Sequence, residues 1–138
     1  MLRRLYRATA IAAVFGLIGT GTTLADGRCG GGPGVQVWEN TYFSGGTWTI
    51  CANASGNFSD SDLSNNTSGL GFFANWNNRI SSYQTFNTPA GVITCFFDGT
   101  GYTGSWQRVA GNYNMTSPGT MNDRFSSLWR NSLSPACG

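Results

Sequence analysis

Asn77-Asn78-Arg79-Ile80-Ser81-Ser82 and Asn122-Asp123-Arg124-Phe125-Ser126-Ser127 follow one pattern: two carboxamide or carboxylate side chains, two spacers and two serines. Each hexapeptide stands just ahead of an apolar segment, Tyr83 to Phe86 in the first copy and Leu128 to Trp129 in the second. Loops so rich in side-chain oxygen suit a hard cation such as calcium, which takes carboxylate, carboxamide, hydroxyl and backbone oxygens in a flexible shell. The same oxygens can also hydrogen-bond their own loops with no ion present.

Each hexapeptide has an upstream companion. Trp38-Glu39-Asn40-Thr41-Tyr42-Phe43-Ser44-Gly45 aligns without a gap on Phe97-Asp98-Gly99-Thr100-Gly101-Tyr102-Thr103-Gly104. In both, an aromatic precedes an acid, a second aromatic follows after four intervening residues, and a glycine comes two later. This predicts a strand leading into a tight hairpin whose glycine takes positive φ. Two ordered signals recurring together indicate an internal duplication.

The paired hairpin and (Asn/Asp)-(Asn/Asp)-x-x-Ser-Ser loop resemble the double Greek key of the βγ-crystallin superfamily, over about Val35 to Arg130. The resemblance implies an all-β fold, with two tandem Greek-key motifs forming a disulfide-stapled β-sandwich. It also implies a paired calcium clamp with two weak Ca2+ sites. Asn78 and Asp123 would supply side-chain oxygens, Arg79 and Arg124 backbone carbonyls, and Ser81 and Ser126 hydroxyls. Asn77 and Asn122 would shape the loops, and carbonyls near Glu39 and Asp98 would complete each shell. Only Asp123 brings a carboxylate into either hexapeptide, so affinity belongs to the weak extracellular range of roughly 10⁻⁴ to 10⁻³ M.

The first 25 residues stand apart. Arg3, Arg4 and Arg7 precede an apolar core from Ala8 to Ile18 and a small-residue site at Thr23-Leu24-Ala25, the pattern of a secretory signal peptide. A glycine-rich flexible lead, 26–34, held only by Cys29, then precedes the domain at 35–138, with repeat one at 35–87 and repeat two at 92–131. Without the three leader arginines, the formal charge of +2 becomes about −1, and there is no lysine. Such a surface offers no footprint for nucleic acid or an anionic membrane. Arg28, Arg79, Arg108, Arg124 and Arg130 are scattered and read as single solvated charges. A secreted, extracellular monomer is expected.

The exported chain, about 113 residues, is long enough for one real core. Tryptophan at 38, 48, 76, 106 and 129 supplies large apolar area, and the abundance of Gly, Ser, Thr and Asn argues against helix. Expected strands run over 35–39 and 47–51 across a turn at 43–46, then 80–86, 92–97, 105–109, 113–115 and 125–129. The stretch 52–71 is a long polar loop with one short strand. Cys29, Cys51, Cys95 and Cys137 are even in number in an exported chain, so two disulfides are expected. Three pairings are open, and the duplication favours Cys29 with Cys51 and Cys95 with Cys137, one bridge per repeat.

The absence of histidine and lysine removes the commonest general bases and activated amines, so the chain reads as non-enzymatic. Asp60 and Asp62, the one close acidic pair, read as solvated loop charges. A secreted four-cysteine chain of this size is similar to the Streptomyces metalloproteinase inhibitor family. That similarity implies a peptidase inhibitor whose partner is a secreted protease. The alternatives are a calcium-stabilised extracellular structural or coat protein and, on the same fold, a secreted toxin or antifungal.

Overall fold

A computed structural model describes residues 27–72, 74–132 and 137. The expected signal peptide, 1–25, lies outside the described residues. Eight strands are described: β1 (Gly34–Asn40), β2 (Ser44–Cys51), β3 (Phe58–Asp60), β4 (Ser82–Phe86), β5 (Ile93–Gly99), β6 (Thr103–Ala110), β7 (Tyr113–Met115) and β8 (Ser127–Asn131). Short 3₁₀ turns lie at Arg28–Gly31, Leu63–Asn65 and Gly119–Met121.

The strands form two four-stranded antiparallel sheets, ordered β2-β1-β4-β7 and β3-β8-β5-β6. Each repeat keeps three strands in its own sheet and lends its third, shortest strand to the other. This exchange is the Greek-key crossover. Period-two alternation then faces the two sheets together. Val35, Val37, Ile50, Leu63, Trp76, Ile80 and Tyr83 of repeat one pack in one buried cluster with Phe96, Val109, Met121, Phe125 and Leu128 of repeat two. At its centre Tyr83 stacks on Phe96 at 4.2 Å between ring centroids, and Phe96 meets Phe125 at 4.9 Å.

The disulfides join Cys29 to Cys51 and Cys95 to Cys137, as the duplication favoured. The lead is not held by Cys29 alone. Arg28 lies 4.0 Å over the Phe86 ring and donates to Gln84 Oε1 at 3.0 Å and to Gln36 Oε1, while Asn87 Nδ2 donates to the Gly31 and Gly32 carbonyls. Polar groups beside an apolar ring give the glycines fixed partners, so 27–34 is pinned on the first sheet.

Other expectations shift with it. The first turn is Thr41–Phe43 rather than 43–46, since Asn40 pairs directly with Ser44. The strands after the hexapeptides start at Ser82 and Ser127, because the preceding residues are spent on loop contacts. Only Arg108 of the five arginines fits the expectation of a lone solvated charge. Arg130 is fully buried, opposite Phe58 and Thr94, with Nη2 donating to Thr88 Oγ1 at 2.7 Å. Burial lowers its pKa to about 10, so it is still charged at neutral pH. Nor are Asp60 and Asp62 merely solvated. Asp60 accepts from the Asp62 N–H and from Asn66 Nδ2, and Asp62 caps the Leu63–Asn65 turn by accepting from the Ser64 N–H. Hydrogen bonds from Ser64 hold the Asp62 carboxyl below its ordinary pKa.

Candidate functional site: a paired oxygen clamp

The duplication brings the two hexapeptides face to face. Asn78 and Asp123 both take left-handed backbone, φ 55° and 54°, a conformation that Asn and Asp tolerate better than most side chains. In that geometry the Asn78 N–H donates to the Phe125 carbonyl at 2.9 Å and the Asp123 N–H to the Ile80 carbonyl at 3.2 Å. The loops therefore cross-pair. Ser126 Oγ donates to Asn78 Oδ1 at 3.2 Å, and Ser81 Oγ donates to Asp123 Oδ1. Each oxygen pair draws one member from each repeat.

Each hexapeptide is also tied to its own hairpin. The Ser81 N–H donates to the Trp38 carbonyl at 3.0 Å, and the Ser126 N–H to the Phe97 carbonyl at 2.8 Å. Arg79 pairs with Glu39 at 2.5 Å and Arg124 with Asp98 at 2.6 Å, so the side chains of both upstream acids are engaged by guanidinium. These ion pairs are partly exposed, with the arginine side chains 42% and 52% open and the acids 33% and 14%, and each contributes about 0 to 1 kcal/mol. Their value is positional, since they hold hairpin and hexapeptide in register.

The predicted residues are thus brought together. Glu39, Asn77, Asn78, Arg79 and Asp123, with Asn40, line one open cleft of about 430 Å³. Ser81, Asn122, Asp98, Arg124 and Ser126 are joined to it through the bonds above or occupy the matching positions in repeat two. Asn122 Nδ2 donates to Asp123 Oδ2 at 2.8 Å, within its own hexapeptide.

Two residues were missed. Ser82 Oγ donates to the Asn40 carbonyl at 2.7 Å and accepts from the Phe43 N–H at 3.0 Å. Ser127 Oγ does the same with the Gly99 carbonyl at 2.6 Å and the Tyr102 N–H at 3.1 Å. Both serines are fully buried and close the hairpin turns. Their recurrence at the sixth position of both hexapeptides was the available signal.

The donor set suits a hard, weakly held cation. No group of three or more His, Cys, Asp or Glu side chains converges among the described residues, so any ion here would rest chiefly on neutral oxygens. Asn77 Oδ1 and Asn122 Oδ1, at matching positions, are both buried without a hydrogen-bond partner. Buried acceptors in that state are costly, and a cation or ordered water relieves the cost.

Comparison with known structures decides the fold. A structure from work on the evolution of the eye lens βγ-crystallin domain fold superposes with a TM-score of 0.54 at 20% identity, over 72% of this chain and 86% of that one. This protein has the βγ-crystallin fold. The N-terminal domain of protein S gives 0.50 at 24% identity, covering 72% and 97%. A double mutant of a βγ-crystallin domain from Clostridium beijerinckii gives 0.51 at 21%, covering 72% and 98%. On this βγ-crystallin frame, residues 87–138 match peptidase inhibitor family I36. No curated protein sequence matches the chain.

Proposed function

We propose that this protein is an exported, non-catalytic peptidase inhibitor directed at a metallopeptidase, built on a βγ-crystallin frame. The observation that carries the reading is the match of residues 87–138 to peptidase inhibitor family I36. The physical features agree with it. Each disulfide ties a strand of one repeat, β2 or β5, to a residue flanking that repeat, Cys29 or Cys137, which restrains the chain before docking and reduces the entropy lost on binding. All four cysteines are bridged and the chain has no histidine or lysine, which leaves none of the usual nucleophile and base pairs. The disulfides likewise suit an oxidising, extracellular location.

Calcium at the paired clamp is the second part of the proposal. Asn78 with Ser126 and Asp123 with Ser81 would hold the ions, with backbone carbonyls of the hexapeptides completing the shells. A bound ion would supply charge that ties oxygens of both repeats together, and its role is structural.

Titration of a thermolysin-type metallopeptidase with the oxidised protein tests the inhibitor reading. Stoichiometric loss of turnover with the added chain intact is expected. Unchanged turnover, with the added chain digested, overturns it.

A further inference from the structure

Between β3 and its hexapeptide, repeat one carries a loop that repeat two replaces with a much shorter connection. Its backbone is fixed at both feet. At the first, Gly69 takes φ +78° and lies so close to β2 that a Cβ there would fall 1.8 Å from the Thr47 carbonyl oxygen. Leu70 covers Gly46, where an added Cβ would meet its Cδ2 at 2.8 Å. At the second, Trp76 is fully buried and stacks on Trp48 at 6.2 Å. Its Nε1 donates back to the Ser68 carbonyl at 2.8 Å, and its backbone N–H to the Asn66 carbonyl at 3.0 Å.

The loop thereby covers part of β2, an edge strand that would otherwise stand open to unwanted pairing. At its tip the Phe72 side chain is 98% exposed. A single exposed aromatic is ordinary on a protein surface. An aromatic carried between a glycine packed against a strand and a buried tryptophan is presented from two fixed points, which leaves less chain to order on docking than a loop held at neither foot.

We infer that the segment Thr67–Phe72 is the loop that engages the target peptidase, with Phe72 entering an apolar specificity pocket of the enzyme. This rests on the inhibitor reading above. The stretch matched to family I36 lies outside the loop, so the choice of Phe72 rests on geometry.

The test compares the oxidised wild-type protein with Phe72→Ala, Phe72→Leu and Tyr42→Ala against one thermolysin-type metallopeptidase. Tyr42 is the control, a 76% exposed aromatic on a different turn. Phe72→Ala should weaken inhibition about 30-fold or more, as loss of a buried anchor does. Phe72→Leu should largely retain it, Tyr42→Ala should leave it unchanged, and all three should melt with the wild type. Inhibition by Phe72→Ala equal to wild type overturns the loop assignment and leaves the inhibitor reading standing. A wild-type protein that does not inhibit overturns both.

Discussion

At the residue scale, Tyr83 shows how tightly the core is committed. Its ring is fully buried between the sheets, and its hydroxyl has no hydrogen-bond partner. Burial, reinforced by neighbouring Tyr113, pushes the phenol well above its ordinary range. An unsatisfied buried hydroxyl costs about 1 to 3 kcal/mol. Tyr83→Phe keeps the stack on Phe96 and removes that cost, so it should raise unfolding stability by about 1 kcal/mol, or several degrees in Tm for a domain of this size. The pH dependence has a definite sign. A phenol raised in the fold stays neutral while the unfolded chain ionises near pH 10, so the wild type should lose stability as pH rises above about 10. Tyr83→Phe should lose less over the same interval, and urea unfolding at neutral and alkaline pH measures both effects. None of this was legible in the sequence, where Tyr83 is one aromatic of a strand. Whether its ring meets water or Phe96 and Phe125 is decided by the facing sheet. The same holds for Arg130, whose burial follows from its pairing with Phe58 and Thr94 rather than from its neighbours in the chain.

The hairpin with its hexapeptide is the element that the sequence announced, and its two serines divide the labour. Ser82 and Ser127 satisfy a buried carbonyl and a turn N–H in each repeat, so Ser82→Ala or Ser127→Ala strands two backbone groups and should cost about 2 kcal/mol whether or not calcium is present. Ser81 and Ser126 face the opposite loop. If calcium binds there, saturating ion should raise the Tm of the wild type by several degrees, and Ser81→Ala with Ser126→Ala should remove most of that rise. Thermal unfolding of the wild type and both serine pairs, with calcium and with chelator, separates the roles. No calcium-dependent rise in the wild type would leave the clamp as a self-satisfied hydrogen-bond array. The hexapeptides were legible because their polar pattern has no place in a buried strand. The turn was misplaced because Gly45 was read as its positive-φ residue. Gly45 does take φ +79°, but it lies inside β2, where a Cβ would strike Asn40 Nδ2 at 2.6 Å, while Tyr42 and Phe43 bend the chain at φ 55° and 58°. Gly104 repeats the arrangement against Asp98 Oδ1. The glycine is needed for a close approach that only the folded hairpin creates.

At the scale of the whole molecule, the duplication shows that there are two similar units but not that they are interdependent. Each sheet is completed by a strand from the other repeat, β7 beside β4 and β3 beside β8. The central cluster draws on both halves, with Tyr83 against Phe96 and Leu63 joined by its N–H to the Ser126 carbonyl at 2.9 Å. The clamp follows the same rule, since each oxygen pair spans the repeats. A half-chain would expose one face of a three-stranded sheet and leave its short third strand unpaired, with too little apolar burial to offset chain entropy. Residues 27–90 expressed alone, with Cys29 and Cys51 bridged, should therefore show no cooperative thermal transition and no calcium response by circular dichroism. Mixing them with oxidised 91–138 should restore both the strand signal and a single transition. A cooperative transition in the isolated first repeat would mean that the Cys29–Cys51 staple and the Val35, Val37 and Trp76 packing are enough by themselves. The interface between the repeats would then be a docking surface between independent units rather than the core of one.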